Sequence, residues 1–221
     1  MIVMVGNGKG GVGKSRVAIH LAALAVTAGV DTVLLDTDVI QGSSASWSRI
    51  RNDEGITPPV PVMVLPANPL RELVNLSQKY DLVVVDIGAQ NYKTMTECAA
   101  VSDLVLVPCG NDQQEMEATE IVFKHLDAIG PQHRNGKVPA HVVLTRVSTN
   151  ERAKSTQELR EVFESMGMPV LQTVLPMRSA WAATGKTGRA LHELRGKDKS
   201  ERATAEMQAL FDEVQQLCNE G

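Results

Sequence analysis

The stretch Ile2-Val-Met-Val-Gly-Asn-Gly-Lys-Gly-Gly-Val-Gly-Lys-Ser15 decides the fold of this 221-residue chain. Its apolar start predicts a short buried strand, and residues 8–15 match the pattern G-x-x-x-x-G-K-[ST] where a long helical segment begins. In such a loop, successive backbone N–H groups form a concave nest, and the helix N-terminus adds partial positive charge. A glycine-rich turn with a chance Lys-Ser is the alternative, which the strand-loop-helix context disfavours. The stretch predicts a polyphosphate site.

Each residue type in this loop has its own expected task. Lys14 would reach the β and γ phosphates of a nucleotide, and the Ser15 hydroxyl would ligate Mg²⁺. The glycines let the backbone close around the phosphate oxygens. We expect ATP or ADP with Mg²⁺ to be held by the loop and the residue that follows it, namely Gly8, Lys9, Gly10, Gly11, Val12, Gly13, Lys14, Ser15 and Arg16.

Beyond the loop, short apolar runs alternate with longer amphipathic segments, which is typical of a parallel sheet covered by helices on both faces. Seven strands rich in Val and Leu are predicted, at Ile2–Val5, Thr32–Leu35, Val62–Leu65, Leu82–Val85, Leu104–Val107, His141–Leu144 and Val170–Val174. We therefore expect a single α/β domain over residues 1–221, doubly wound around a mainly parallel sheet.

Apolar residues at helical spacing predict core-facing stripes on three helices. The stripes are Val17, Leu21, Leu24 and Ala28 before Gly29; Leu159, Val162, Phe163 and Met166 before Gly167; and Met207, Leu210, Phe211, Val214 and Leu217. A partner-binding stripe on the last helix is the alternative.

Composition narrows the class of protein. Hydrophobic residues make up 43% and the formal charge is -4, so the chain can bury a core, whereas 3% aromatics argue against a base-stacking surface. Three cysteines without a repeated short spacing suggest neither a disulfide framework nor a zinc site. Since no leader pattern and no apolar run of about 18 residues is present, we expect a cytoplasmic protein.

The segment Lys9-Gly-Gly-Val-Gly-Lys-Ser15 resembles the deviant Walker A motif of the ParA/MinD family. The resemblance covers almost the whole chain, and its length is similar to that of small plasmid-type ParA proteins without an N-terminal helix-turn-helix. It implies a P-loop NTPase fold and an ATP-sandwich homodimer, in which Lys9 completes the site of the opposite subunit. The alternative for Lys9 is a solvated loop lysine.

Two strand ends carry carboxylates that this resemblance assigns to the site. In Val33-Leu-Leu-Asp-Thr-Asp38, it implies that Asp38 positions the attacking water close to the metal and that Asp36 lies near the metal and phosphates. Leu82-Val-Val-Val-Asp86 has the form of a Walker B segment, in which Asp86 would hold Mg²⁺ through water. The expected metal residues are Ser15, Asp38 and Asp86. For Asp36 a turn-capping role is the alternative.

Later segments extend the resemblance, with some departures. Leu144-Thr-Arg146 and Leu175-Pro-Met-Arg178 resemble segments near the adenine, which implies nucleotide contacts from Arg146, Pro176 and Arg178. The family often has Asp-x-Asp-Pro-Gln, whereas here Asp38-Val-Ile-Gln41 lacks the proline and places the glutamine one residue later. Arg16 stands where the family usually has a small hydroxyl residue. These departures bear on hydrolysis rate and water geometry more than on binding.

The resemblance implies a weak ATPase whose catalytic residues are Lys9, Lys14 and Asp38. It also implies a partner, a ParB-like or other cargo adaptor, that stimulates hydrolysis. Such proteins bind DNA without sequence preference as dimers, associate with the nucleoid and segregate plasmid or chromosome cargo. Between residues 178 and 202, seven basic residues outnumber three acidic ones, which suits phosphate contacts. The basic residues are Arg178, Lys186, Arg189, Arg195, Lys197, Lys199 and Arg202. A solvated charged face is the alternative, and Arg146, Arg152 and Lys154 are a weaker second contribution.

Other functions of the same superfamily stay open. A MinD-like membrane ATPase needs a basic amphipathic C-terminal helix, whereas residues 206–221 contain four acidic residues and no Lys or Arg, so we expect no membrane partner. An iron-protein reductase would use cysteines such as Cys98 and Cys109 as cluster ligands, although buried structural thiols are the better interpretation. A switch that scarcely hydrolyses ATP, or an ATPase for a non-DNA cargo such as a carboxysome, fits the same motifs.

Overall fold

The computed structural model describes residues 1–38, 42–65, 69–149 and 154–220. Within these ranges the chain forms seven strands, β1 Ile2–Val5, β2 Thr32–Asp36, β3 Val62–Val64, β4 Leu82–Asp86, β5 Leu104–Cys109, β6 Ala140–Val147 and β7 Leu175–Pro176. They form one sheet in the order β3-β2-β4-β1-β5-β6-β7, and its neighbouring strands run parallel. Gln41 and Arg152 lie outside the described ranges.

Helices follow the strands in alternation and cover both faces of the sheet. Their bounds are α1 Lys14–Thr27, α2 Ser43–Asp53, α3 Leu70–Ser77, α4 Tyr92–Ala99, α5 Gln113–Ile129, α6 Lys154–Ser165, α7 Ala180–Thr187 and α8 Glu201–Glu220. Short 3₁₀ turns occur at Gly130–Gln132, Leu191–Glu193 and Gly196–Asp198. Among the helices so described, none carries the run of apolar residues that a bilayer-spanning segment requires.

Alternate residues of each central strand pack into two separate hydrophobic cores, one on each face of the sheet. Val3 and Val5 of β1 pack with α1 and α8, whereas Ile2 and Met4 pack with residues of α3, α4, α5 and α6. Both faces of the strand are therefore buried, which explains why the central strands read as continuous apolar runs. The doubly wound α/β fold predicted from the sequence is confirmed.

The register of the central strands brings three strand ends to one level. Val5 pairs with Asp86, and Asp36 of β2 pairs with the same residue from the other side of β4. Since the strands are parallel, the loop that leaves β1 and the two carboxylates lie at the same edge of the sheet. In doubly wound sheets, ligands bind at this carboxyl edge where the strand order reverses.

The first six predicted strands are confirmed, but the seventh is wrong. Val170 makes only an isolated bridge to Val142, and the strand that pairs with β6 is Leu175–Pro176. The intervening backbone is held elsewhere, because the N–H groups of Gln172 and Thr173 donate to the Glu213 carboxylate of α8 at 2.7 and 2.9 Å. The sequence predicts a strand here, but the backbone N–H groups of Gln172 and Thr173 donate to a side chain distant in sequence.

Two of the three predicted helical stripes differ from the faces that are buried in the structure. On α6 only Leu159 and Phe163 are buried, while Val162 and Met166 are 40% and 45% exposed, so the buried stripe is narrower than predicted. On α1 the predicted face is buried except for Ala28, which follows the end of the helix and is exposed. The stripe of α8 packs into the core against α1, with Leu217 partly buried, which favours the core-facing interpretation.

Candidate functional site

The loop of residues 6–13 joins the carboxyl end of β1 to the N-terminus of α1, and three of its glycines are required by conformation or space. Gly11 and Gly13 have φ values of +80° and +100°, in the left-handed region that favours glycine. A Cβ on Gly8 would collide with the Tyr92 hydroxyl at the start of α4. The sequence pattern therefore corresponds to a closely packed loop with open backbone N–H groups.

Lys14, the first residue of α1, is folded back onto this loop. Its Nζ donates to the Lys9 carbonyl at 2.8 Å, and the residue is only 7% exposed. Burial lowers the pKa of Lys14, although Asp86 and Asp38 nearby act to raise it. A polyphosphate beside Nζ would favour the charged ammonium, because an opposite charge raises the pKa of a buried lysine.

Lys9 points to a different element. Its Nζ donates to Oε1 of Gln114 at the N-terminus of α5, at 2.7 Å and in an exposed position. Its backbone N–H is fixed by the Asn7 side chain at 3.0 Å. Within one subunit the two loop lysines therefore have separate surroundings: Lys14 is buried, whereas Lys9 is half-buried and makes its side-chain hydrogen bond in an exposed position.

Asp86, at the end of β4, is buried between two hydroxyl groups. Ser44 Oγ donates to its Oδ2 at 2.7 Å, and Ser15 hydrogen-bonds the same carboxyl. Burial raises the pKa of Asp86 to about 6, against the lowering effect of these hydrogen bonds. A nearby divalent cation would favour the ionised carboxylate. Since a hydroxyl and carboxylates are oxygen ligands of the kind that Mg²⁺ takes, the residues present fit this ion.

Asp36 has the alternative role of a capping carboxylate. It is fully buried, and its oxygens accept the backbone N–H groups of Asp38, Ser44 and Ala45 at 2.9, 3.0 and 3.0 Å. Two of these donors belong to the first turn of α2, where a negative charge stabilises the helix N-terminus. These contacts favour the capping role, in which Asp36 fixes the start of α2, which carries Ser44; the expectation that Asp36 lies near the metal and phosphates stays a prediction.

A cavity of about 720 Å³ opens at this edge of the sheet. Asp38 is half-buried and lines it together with Lys14 and Asp86. The other polar lining comes from Gly10, Gly11, Gly13, Ser15 and Arg16, and apolar or aromatic lining from Ile19, His20, Trp47, Met177 and Trp181. Both tryptophans of the chain line the cavity, so their fluorescence can report on a ligand.

The three residues expected near the adenine are placed differently from one another. Pro176 lines a small adjoining pocket with Gly13 and Arg146. Arg146 also lines the main cavity, but its guanidinium is held by the Gly11 carbonyl at 3.1 Å and by Glu115. Arg178 pairs with α8: its side chain is 12% exposed and its Nε donates to Glu206 at 2.8 Å, so its expected nucleotide contact stays a prediction.

The other basic residues of the C-terminal region lie on the surface. Lys186, Arg195, Lys197, Lys199 and Arg202 are exposed, and Arg189 is half-buried. We call these six residues the basic segment. Lys199 is the member closest to an acidic group, with Glu201 at 3.2 Å. Of the seven residues predicted to contact DNA, Arg178 is half-buried and paired with Glu206, so it is left out of the basic segment. In the second, weaker contribution, Lys154 is exposed and pairs with Glu158.

Sequence reasoning missed several residues that shape the site. Ser44 donates to Asp86, and Gln114 accepts from Lys9. Thr145 donates to the loop carbonyl of Val12, and Glu115 pairs with Arg146. The helix start at Asp112, which caps α5 through Gln114 N–H at 2.9 Å, is a readable signal. The contact of that helix with the loop has no local signal, because it joins residues more than 100 positions apart.

The cysteines give no support to an iron-sulfur cluster. Cys98 and Cys109 are fully buried, and burial raises the pKa of their thiols to about 12 and about 11. A cluster ligand must be a thiolate, which such surroundings disfavour.

Comparisons with known proteins agree with this geometry. The maintenance of carboxysome distribution protein A of Halothiobacillus neapolitanus is 26% identical over 98% of this chain and 94% of its own. Protein ParA of Rhizobium radiobacter is 25% identical over 95% and 93%, respectively. The septum site-determining protein MinD of Pyrococcus horikoshii OT3, solved with Mg-ADP, covers 98% of this chain and 96% of that chain with a TM-score of 0.68 at 18% identity, which shows the same fold. A model of the CobQ/CobB/MinD/ParA nucleotide binding domain matches residues 3–191, most of the sequence, and the chain therefore belongs to this family.

Proposed function

We propose that this protein is a ParA-type ATPase that binds ATP with Mg²⁺, dimerises face to face and hydrolyses ATP slowly until a partner stimulates it. The observation that carries the proposal is the presence of two lysines with separate surroundings on one phosphate loop. Lys14 is buried beside Asp86 and Asp38, whereas Lys9 is held at the surface by Gln114. A surface lysine beside a phosphate site suits contact with the nucleotide of a second subunit.

The residues of the cavity divide the work of phosphoryl transfer. Mg²⁺, held by Ser15 and through water by Asp86 and Asp38, would neutralise phosphate charge when bound. Lys14 binds the phosphates, and the loop N–H groups orient them. Asp38 positions the water that attacks the γ phosphate. Since the protein performs little covalent chemistry in this reaction, positioning and charge stabilisation determine the rate.

Phosphate release by single variants tests this assignment. Lys14→Ala is expected to lose nucleotide affinity, whereas Asp38→Asn is expected to keep ADP affinity, followed by tryptophan fluorescence, and to lose most hydrolysis. Asp31→Asn, which changes an exposed carboxylate before β2, is the matched control. Hydrolysis by Asp38→Asn at the wild-type rate would contradict the role of Asp38.

We further propose that the ATP-bound dimer binds DNA through the basic segment and positions a cargo through an adaptor protein. The proposal is supported by the exposure of five of its six cations, which a two-fold dimer presents twice. Phosphate contacts of this kind give sequence-independent affinity.

The identity of the cargo has two candidates. A plasmid or chromosome with a ParB-like adaptor is favoured by the likeness to Rhizobium ParA, and a carboxysome by the likeness to a carboxysome distribution protein. The ATPase rate should be measured alone, with DNA, and with the product of the adjacent gene. Joint stimulation by DNA and that product supports positioning on DNA, and indifference to DNA contradicts it.

A further inference from the structure

Two carbonyls of the phosphate loop are held from outside by consecutive residues of β6. Thr145 Oγ1 donates to the Val12 carbonyl at 2.8 Å, and Arg146 Nη1 donates to the Gly11 carbonyl at 3.1 Å. In a trans peptide the C=O and N–H groups are coplanar and point in opposite directions. The two hydrogen bonds therefore also set the directions of the Val12 and Gly13 N–H groups, which point the opposite way within the same peptide planes.

Arg146 is itself fixed by two further groups. Its Nη2 pairs with the buried Glu115 carboxylate of α5, whose Oε2 accepts the Gly110 N–H at 2.8 Å. Gly110 is required there, because a Cβ would lie 2.6 Å from Glu115 Oε2 and 3.2 Å from Arg146 Nη2. The end of β5, the start of α5 and β6 thus meet at one guanidinium.

The backbone of β6 is bent at the same point. Its register against β7 shifts between Thr145 and Val147, and Arg146 has a φ of +56°, which is unfavourable for a residue with a side chain. Irregularities of this kind occur beside functional sites, where they redirect a side chain. Here the redirected side chain contacts the loop.

We propose that Thr145 and Arg146 are positioning residues, which hold the Val12 and Gly13 amides in the direction that binds phosphate oxygens before a nucleotide arrives. This inference rests on the nucleotide binding proposed above and adds how the anion site is kept in shape. Amides that are oriented in advance need no rearrangement when an anion binds, so the affinity for phosphate groups is higher.

Thr145→Val tests the inference, because it removes the hydroxyl while nearly keeping the volume, and Thr145→Ser is the matched control that keeps the hydroxyl. The probes are ADP and inorganic tripolyphosphate, titrated by calorimetry. Loss of one neutral hydrogen bond predicts binding weakened by about three- to tenfold for both probes. Thr145→Ser should bind within about twofold of the wild type. Arg146→Lys, which keeps the charge but not the two-pronged geometry, should also weaken both.

A role in packing alone makes a different prediction. It would lower the free energy of unfolding of nucleotide-free Thr145→Val, measured in urea, and leave its affinity for both probes unchanged. Unchanged affinity of Thr145→Val for both probes, or wild-type affinity in both Thr145→Val and Arg146→Lys, would overturn this inference and leave the proposed function standing. Failure of the wild-type protein to bind ADP would overturn the proposed function and this inference together. Equal weakening for ADP and tripolyphosphate, with recovery in Thr145→Ser, would support it.

Discussion

At the scale of single residues, the two carboxylates of residues 36 and 38 show what a motif leaves undecided. Their spacing is the same whether each faces the nucleotide or the backbone. The structure separates them, because α2 begins directly above Asp36 and its first N–H groups occupy that carboxylate, whereas Asp38 lines the cavity. The approach of a following helix, which no local pattern encodes, gives the two carboxylates different surroundings.

Gly8→Ala is predicted to weaken ADP binding by about tenfold or more, since its Cβ collides with the Tyr92 hydroxyl and overpacking costs about 1–3 kcal/mol. Fluorescence of Trp47 and Trp181, which line the cavity, can follow the titration. Gly130→Ala is the control, because Gly130 follows α5 outside the cavity lining and its Cβ would make only ordinary contacts, the nearest at 3.6 Å. Equal affinities for the two variants would contradict the close packing of Tyr92 on the loop.

His20 provides a prediction about pH. It is 1% exposed on α1 beside Trp181, and burial lowers the pKa of its imidazole to about 4 from an ordinary value near 6.5. The unfolded chain therefore binds a proton between these values and the folded protein does not, so stability is lost as the pH falls from 6.5 towards 4. Between pH 7.5 and 4.5 this group should remove about 2–3 kcal/mol from the free energy of unfolding.

Urea unfolding at the two pH values, for wild type and His20→Gln, measures that contribution. The variant lacks the titrating group and should show a correspondingly smaller loss. An identical pH dependence in both proteins would contradict the burial of a neutral imidazole.

At the scale of elements, the sequence predicts the strands whose position is determined by burial. It does not predict a strand end that depends on a hydrogen bond to a side chain distant in sequence. The strands β1 to β6 are apolar because they lie between two cores, so composition alone locates them. The run at Val170 contains two polar residues: Val170 makes one bridge to Val142, and the N–H groups of Gln172 and Thr173 that follow donate to Glu213 of α8. Likewise, the phosphate loop is visible as a motif, whereas its supports Thr145, Arg146 and Glu115 become visible only when β5, β6 and α5 are in place.

A buried ion pair joins α2, whose Trp47 lines the cavity, to the 3₁₀ turn that follows α7. Arg51 of α2, 1% exposed at its side chain, binds the Glu193 carboxylate at 2.6 and 2.7 Å and the Pro58 carbonyl at 2.7 Å. Arg51→Ala leaves a largely buried acid unpaired, so it should lower the free energy of unfolding by about 3–5 kcal/mol in urea.

The control for this pair is Lys93→Ala, which breaks an exposed i, i+4 pair with Glu97 on α4. Its expected effect is below about 0.5 kcal/mol. Comparable losses in the two variants would contradict the structural importance of Arg51.

At the scale of the whole molecule, the formal charge of -4 averages two unlike regions. The basic segment begins with Lys186 near the end of α7 and extends into the start of α8, and five of its six cations are exposed. The shortage of aromatic residues still argues against base stacking, but the net charge does not exclude contacts with phosphate groups.

DNA affinity of the ATP-bound protein should therefore fall steeply as salt rises. Replacing Arg195, Lys197 and Arg202 by Ala is predicted to reduce the slope of log affinity against log salt by about three per subunit that contacts DNA. Fluorescence anisotropy of labelled duplexes of unrelated sequence measures it. Ala at three exposed lysines elsewhere, Lys79, Lys93 and Lys124, is the control. A slope that the first set of changes leaves unaltered would contradict the basic segment as the DNA surface.

Light scattering after size exclusion tests the proposal that Lys9 joins two nucleotide-bound subunits. With ATP and Mg²⁺, the wild-type protein is predicted to double its mass from the 23.9 kDa of one chain. Lys9→Ala should bind ATP, as tryptophan fluorescence reports, and stay monomeric, while Lys93→Ala dimerises normally. A Lys9→Ala protein that forms the ATP-dependent dimer as readily as wild type would contradict the account.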